Sequence, residues 1–103
     1  MLFYVQMKWN YQGRVSQDEL WELEEREINF AQTTVDSGAV KGIYKVAGQH
    51  RVIVIIDVES PDELDRTAMG RLPMREFLEF EAVWALREYA SFADDVRRRF
   101  RDV

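Results

Sequence analysis

Hydrophobic and polar residues alternate along this chain with two periods, one typical of β-strands and the other typical of α-helices. In residues 2–9, Phe3, Val5 and Trp9 alternate with more polar neighbours, which is the period of two expected of a half-buried strand. Three further strands are predicted at residues 39–47, 52–58 and 77–84. The third strand is apolar on both faces from residue 52 to residue 56, which predicts a central strand covered on both sides.

A long amphipathic helix is predicted between Ser16 and Gly38. The apolar stripe of its helical wheel contains Leu20, Leu23, Ala31, Thr34 and Val35. Ser16 and Glu19 have the spacing of a capping box at the N-terminus of this helix. Gly38 is the expected residue just beyond its C-terminus, where the chain leaves the helix.

Two shorter helices follow the third and fourth strands. Ser60 as N-cap, Pro61 at the first helical position and Glu63 three residues after the cap predict a short helix that stops at Gly70. After the fourth strand, apolar residues recur at helical spacing and predict a helix over roughly residues 87–102. The apolar stripe of this last helix must pack either on its own sheet or on a neighbouring subunit.

The resulting order of elements is β-α-β-β-α-β, which predicts an α+β, ferredoxin-like sheet with both helices on one face. We assign residues 1–85 to this domain and residues 86–103 to a C-terminal helical extension. The other face of the sheet needs a cover, and a second subunit is the usual solution. We therefore expect a homo-oligomer, at least a dimer, with an interior pocket.

The composition narrows the classes of function. A chain of 103 residues fits one domain with one core. The net charge of -5 argues against nucleic acid as a partner. The absence of cysteine excludes disulfides, iron–sulfur clusters and thiol catalysis, and a single histidine argues against a metal site. No apolar run approaches 18 residues, so we expect a cytoplasmic protein without a membrane partner.

Glu27 places a carboxylate where the helical pattern calls for an apolar residue. It lies within the stripe of the long helix, one turn before Ala31, whereas Glu22 and Glu25 fall on the opposite face and Glu24 borders the stripe. A carboxylate that faces an apolar interior loses hydration, which raises its pKa and suits it to proton transfer near neutral pH. The alternative is a structural ion pair with a lysine or arginine of a facing strand.

Several short motifs, taken in their order and spacing, resemble the muconolactone delta-isomerase family, which includes chloromuconolactone dehalogenases. The matching segments are Met1-Leu2-Phe3-Tyr4-Val5, Glu27 with Ala31-Gln32, Gly38, Val46-Ala47-Gly48, Asp57-Val58-Glu59-Ser60 and Leu72-Pro73. They span roughly residues 1–83 with almost no gaps. The resemblance implies a ferredoxin-like fold, dimers assembled into decameric rings, and no cofactor. It also implies a step of aromatic catabolism that moves a double bond within a butenolide ring, with Glu27 as the base.

The chain also departs from the pattern of this family. Tyr4 replaces a histidine of the first strand, and residues 40–45 replace a Trp-Arg-His-Leu-Trp-Arg segment of the second strand. Val52 or its neighbour stands in place of an asparagine, and the C-terminal helix replaces a short polar tail. The resemblance therefore supports a shared fold more firmly than a shared substrate.

An acidic lactone needs a cation for its carboxylate and a hydrogen-bond donor for the oxyanion that develops during the reaction. The candidate substrate-binding residues are Tyr4, Lys41, Tyr44, Lys45, His50 and Arg51. Each also has a simpler interpretation, as an aromatic residue at a dimer contact, a solvated edge residue or an exposed turn residue. Glu79 and Glu81 on the fourth strand could join Glu27 as paired acids, although charge pairing with lysines is the simpler account.

Three functions remain open on the sequence alone. The first is a cofactor-free isomerase that shifts a double bond in an unsaturated lactone or a related acidic small molecule, and it predicts a pocket with Glu27 near a cation. The second is a cofactor-free cyclase or oxygenase for an aromatic or polyketide intermediate, which predicts a larger, mainly aromatic pocket. The third is a non-catalytic oligomer that binds a small molecule, in which Glu27 is locked in a salt bridge with no cavity beside it.

Overall fold

The computed structural model describes residues 1–102 and contains a four-stranded antiparallel sheet. Its strands are β1 (Leu2–Trp9), β2 (Val40–Lys45), β3 (Arg51–Asp57) and β4 (Leu78–Leu86). The order across the sheet is β2-β3-β1-β4. The helices are α1 (Gln17–Asp36), α2 (Pro61–Arg66) and α3 (Tyr89–Arg97). The predicted α+β, ferredoxin-like fold is confirmed, and β3 lies inside the sheet as its apolar run predicted.

Both helix starts predicted from capping residues are confirmed. The Ser16 hydroxyl accepts a hydrogen bond from Glu19 N at 3.1 Å, and the Glu19 carboxylate accepts one from Ser16 N at 3.2 Å. The Ser60 hydroxyl accepts a hydrogen bond from Glu63 N at 3.2 Å. These bonds satisfy N–H groups that have no partner within the first helical turn. Gly38 follows α1 with φ of +82°, a left-handed conformation that glycine adopts without steric penalty.

The chain after α2 differs from the predicted single helix. α2 ends at Arg66, and one π-helical turn follows over Thr67–Arg71. A 3₁₀ turn over Arg75–Phe77 then leads into β4. The helical conformation therefore extends as far as expected, but from Thr67 onward its hydrogen bonds follow the i→i+5 pattern of a π-helix. Single π-helical turns of this kind are frequent at functional sites.

A β-bulge in β4 changes which of its residues face the helices. The pairing of β1 with β4 skips one residue, Glu81. Strict alternation along residues 77–84 would place Phe80 and Trp84 on one face of the sheet, but the extra residue reverses the alternation. Trp84 lies on the face opposite the helices, where its ring stacks on the ring of Tyr4 at 5.1 Å.

The tightest packing joins α1 to the end of β1. Leu20 and Met74 have 0% of their surfaces exposed, and they form one cluster with Trp9 and Tyr11. Leu20 belongs to the predicted apolar stripe of α1, whereas Met74 lies between the π-helical turn and β4. This cluster fixes the backbone of the Met74 segment against α1.

α3 extends away from the sheet. It was predicted over residues 87–102 but ends at Arg97, so the prediction was too long at both ends. It makes few contacts with the rest of the chain, Tyr89 is 78% exposed, and the molecule measures 55 × 26 × 21 Å. The apolar stripe of α3 is thus left open within a single chain. None of the helices in residues 1–102 is long and apolar enough to cross a membrane.

Candidate active site

A cavity of about 90 Å³ lies between α1, the sheet and the segment that contains α2 and the π-helical turn. The sheet contributes mainly valine and isoleucine side chains to its lining. The polar members of the described lining are Glu27, Thr34 and Thr67, and Glu27 is its one ionisable group. Residues 1–102 contain no group of three or more potential metal ligands. The cavity therefore combines an apolar wall with a single carboxylate.

Glu27 is held at this cavity by one backbone contact. Its Oε2 accepts a hydrogen bond from Met74 N at 3.1 Å. Within residues 1–102 it takes part in no salt bridge, so the ion pair that the sequence left open is not formed in the described chain. Burial raises the pKa of Glu27, and the hydrogen bond from Met74 acts in the opposite direction. The result is an oriented carboxylate whose basicity is higher than usual.

The position of Glu27 follows from the phase of α1. The capping box fixes where the helix begins, and the fully buried Leu20 fixes which side of it faces the sheet. Glu27 follows Leu20 by two helical turns and therefore points to the same side. Met74, packed in the same core, presents its N–H to the carboxylate.

A second carboxyl, that of Glu24, lies one turn before Glu27 on the same helix. Its Oε2 is buried and has no hydrogen-bond partner within residues 1–102. Burial and then the nearby charge of Glu27 raise the pKa of Glu24 to about 7, while a hydrogen bond with the Trp9 side chain lowers it. Sequence reasoning placed Glu24 only at the border of the apolar stripe and missed its burial, because Trp9 packs over this side of α1 only in the folded chain.

A cation missed by sequence reasoning lies in a pocket next to the cavity. The two spaces share Phe30, Thr34, Ile56 and Thr67 as lining residues. Arg71 lines the second pocket, where its guanidinium donates to Thr67 Oγ1 at 3.5 Å and forms a salt bridge with Glu63. The signal that could have found it is the spacing Thr67–Arg71, which places both side chains on one side of a helical turn.

Three of the predicted substrate-binding residues lie on the sheet face opposite the helices. Tyr4 stacks on Trp84, and Tyr44 is 64% exposed. Arg51 forms a salt bridge with Glu81 at 2.8 Å, which holds the pKa of the Glu81 carboxyl below its usual value. Glu81 is thus paired with the Arg51 guanidinium on the sheet face opposite the helices, and it does not join Glu27 as a paired acid.

The other three predicted residues lie around the edge of the sheet. Lys41 is exposed on β2. Lys45 donates to the Val46 carbonyl oxygen at 2.8 Å. His50, in the turn between β2 and β3, has its Nε2 3.4 Å from the hydroxyl of Tyr11. None of the six predicted residues lines the cavity of Glu27 among its described residues, and their binding of substrate stays a prediction.

Comparison with known proteins identifies the family. The family model described as muconolactone delta-isomerase matches residues 1–91. This chain belongs to the muconolactone delta-isomerase family. Muconolactone Delta-isomerase 2 of Acinetobacter lwoffii is 28% identical over 97 residues, which cover 94% of this chain and 100% of that protein. Muconolactone Delta-isomerase of Acinetobacter baylyi is 30% identical over 95 residues, which cover 92% of this chain and 98% of that protein.

A solved structure of the muconolactone delta-isomerase family has the same fold. The crystal structure of muconolactone isomerase at 3.3 Å resolution superposes with a TM-score of 0.73 and 26% sequence identity. The match covers 85% of this chain and 90% of that one. The family resemblance read from short motifs is confirmed. The family match also continues past residue 83, through β4 and into the first residues of α3.

Proposed function

We propose that this protein is an isomerase that shifts a double bond in an unsaturated, muconolactone-like lactone by proton transfer. The observation that carries the proposal is the Glu27 carboxylate, the one ionisable group in the described lining of a mainly apolar cavity, which forms no salt bridge within residues 1–102. Family membership supports the reaction class. A base that has lost hydration and keeps a fixed orientation is suited to removing a proton from carbon.

Glu27 carries the proton in both steps of the proposed reaction. In the first step, the bond between a proton and the ring carbon that bears the carboxymethyl arm breaks, and an O–H bond forms on Glu27. The electron pair left behind spreads over the ring as a dienolate. In the second step, the Glu27 O–H bond breaks and the proton is returned to the carbon alpha to the carbonyl. One proton and one double bond change position, and nothing is oxidised or reduced.

Two hydroxyl groups of the cavity lining are the proposed hydrogen-bond donors to the dienolate. Thr34 and Thr67 are the polar lining residues besides Glu27. Thr67 Oγ1 accepts a hydrogen bond from Arg71, so its own proton is available for a negatively charged oxygen. Donors already in place where charge develops are among the larger contributions to catalysis.

Arg71 is the proposed anchor for the carboxylate of the substrate. It lies in the adjoining pocket, and its guanidinium already binds one carboxylate, that of Glu63. A substrate that spans the two pockets would place its ring beside Glu27 and its carboxylate beside Arg71. Guanidinium groups suit this role because they bind carboxylates through paired hydrogen bonds.

The lining of the cavity gives little support to a cyclase or oxygenase of aromatic intermediates. That function predicts a larger, mainly aromatic pocket, whereas Phe30 and Phe80 are the aromatic members of the described lining. We therefore retain lactone isomerisation as the function to test first.

The direct test is an ultraviolet assay with muconolactone on the wild type and Glu27→Gln. Glutamine keeps the shape and the hydrogen bond from Met74 but cannot accept a proton, so we expect turnover to fall by roughly 10²-fold or more. Glu25→Gln, an exposed neighbour on α1, is the matched control and should retain the wild-type rate. Wild-type turnover in Glu27→Gln would refute the role of Glu27, and an inactive wild type would refute this substrate.

A further inference from the structure

Glu24 and Glu27 form a pair of carboxyls on one face of α1. Side chains three residues apart on a helix are neighbours, with Cβ atoms about 5–6 Å apart. Neither residue takes part in a salt bridge within the described part of the chain. Two partly buried carboxylates without a counter-ion repel each other, so the second one ionises with difficulty.

The basic side chains beside Trp9, which neighbours Glu24, are directed elsewhere. From β2, the Lys45 ammonium lies 5.8 Å from the centre of the Trp9 ring and donates to a backbone carbonyl. The His50 ring lies 6.3 Å from the same Trp9 ring and faces Tyr11. From β1, the neighbour of Glu24 is Trp9 itself, which is neutral. No compensating positive charge therefore contacts either carboxyl among the described residues.

The hydrogen bonds to the two carboxyls are unequal. Glu27 Oε2 accepts from Met74 N, which favours the ionised form of Glu27. Glu24 accepts a hydrogen bond from the Trp9 side chain, which favours its ionised form, but its Oε2 is buried without a partner among residues 1–102. An unsatisfied buried oxygen is far more costly when it carries charge. The first proton to leave the pair therefore leaves Glu27, and Glu24 keeps the second.

We propose that Glu24 is a positioning residue that keeps the carboxyl pair at a single negative charge, with the proton on Glu24 and the charge on Glu27. The pairing rests on the geometry of α1, whereas its effect on turnover rests on the proposed function. While Glu24 is neutral, Glu27 is the one negative charge in the described lining of the cavity. When Glu24 ionises, a second negative charge opposes binding of that substrate and formation of the dienolate.

The pairing is tested without any substrate by carbon-13 NMR of protein labelled at the glutamate carboxyl carbons. The wild type, Glu24→Gln and Glu27→Gln are titrated, with Glu25→Gln as the control for assignment and for general effects of substitution. In the wild type we expect one carboxyl signal to titrate with a midpoint near 7, and its absence from Glu24→Gln assigns it to Glu24. In Glu27→Gln we expect this midpoint to fall, because the repulsion between the two carboxylates is gone. A Glu24 midpoint that is the same in the wild type and in Glu27→Gln would overturn the pairing.

The effect on turnover is tested by the pH profile of kcat/KM with muconolactone. In the wild type we expect a fall of about tenfold between pH 6 and pH 8 as Glu24 ionises. Glu24→Gln should keep the activity at pH 6 and lose this alkaline fall, whereas a merely structural role would lower activity without changing the profile. An unchanged alkaline fall in Glu24→Gln would refute the proposed role, even if the NMR titration supports the pairing.

Discussion

Glu24 and Glu27 occupy positions on α1 that apolar side chains would fill more favourably. Their stripe includes the fully buried Leu20, and their helix packs against a sheet of mainly aliphatic residues. Burial of a carboxyl without a charged partner opposes folding, because the ionised form loses its hydration. The phase of the apolar pattern was sufficient to predict that the Glu27 carboxylate faces the apolar interior. It was not sufficient for Glu24, since the covering Trp9 comes from a strand distant in sequence.

The free energy of unfolding should report the burial of Glu24. Its pKa is raised from 4.5 to about 7 on folding, so the folded state binds more protons than the unfolded state between these values. The contribution of Glu24 to the free energy of unfolding is therefore fully present below about pH 4.5 and is lost as the pH rises from about 4.5 through about 7. The loss is at most about 3 kcal/mol for a shift of this size and is smaller because Glu24 is only partly buried.

Urea unfolding at pH 5 and pH 8 measures this loss. Glu24→Gln should remove most of the difference between the two pH values, because an amide does not titrate. Glu25→Gln, which changes an exposed carboxyl of the same helix, should leave the difference as it is in the wild type. Equal pH dependence in the wild type and Glu24→Gln would show that Glu24 is not buried in this way.

The elements of the fold were predictable where the information is local. The two serine caps mark helix starts because the capping side chain and its N–H partner lie three residues apart. The bulge at Glu81 was not predictable, since it depends on how β4 pairs with β1, far away in the chain. The π-helical turn after Arg66 was also missed, because its apolar pattern resembles that of an ordinary helix.

The π-helical turn ends at Arg71, whose proposed role as the anchor for the substrate carboxylate can be tested by substitution. Replacement of Arg71 by methionine keeps much of the side-chain length but removes the proposed anchor for the substrate carboxylate. We expect KM for muconolactone to rise about tenfold or more with a smaller change in kcat, since the anchor binds ground state and transition state alike. Arg66→Met is the matched control, because Arg66 pairs with the same Glu63 at 3.9 Å but does not line either pocket among the described residues.

An unchanged KM in Arg71→Met would remove Arg71 from the proposed site. A rise of the same size in Arg66→Met would trace the effect to the shared partner Glu63 rather than to contact with the substrate. Circular dichroism of both variants should match the wild type, since both arginines are exposed.

The whole molecule leaves one face of its sheet open to solvent. Tyr44 is 64% exposed and Trp84 is 60% exposed on this face. The apolar stripe of α3 is also uncovered. The six predicted substrate-binding residues lie on this face or at the edge of the sheet. They were chosen for their chemistry and strand position, and the face that a strand residue occupies is set by long-range register. A second copy as the cover stays a prediction.

Trp84→Glu tests whether a second copy covers this face. We expect the wild type to sediment as a dimer or a larger assembly and Trp84→Glu to shift toward the monomer, because burial of a charge in an apolar contact opposes association. The control is Met69→Glu, which also replaces an apolar residue by an acidic one, at a position that is 57% exposed on the helical side of the sheet. A monomeric wild type in analytical ultracentrifugation would contradict the expected homo-oligomer.

Proton transfer by Glu27 is the central claim, and proton NMR of muconolactone incubated with the protein in D₂O tests it most directly. The wild type should convert the substrate and transfer hydrogen to or from the carbon alpha to the carbonyl, with deuterium entering whenever protonated Glu27 exchanges with solvent. Glu27→Gln should show neither conversion nor deuterium incorporation above the rate without protein. Conversion or exchange in Glu27→Gln at the wild-type rate would contradict the account.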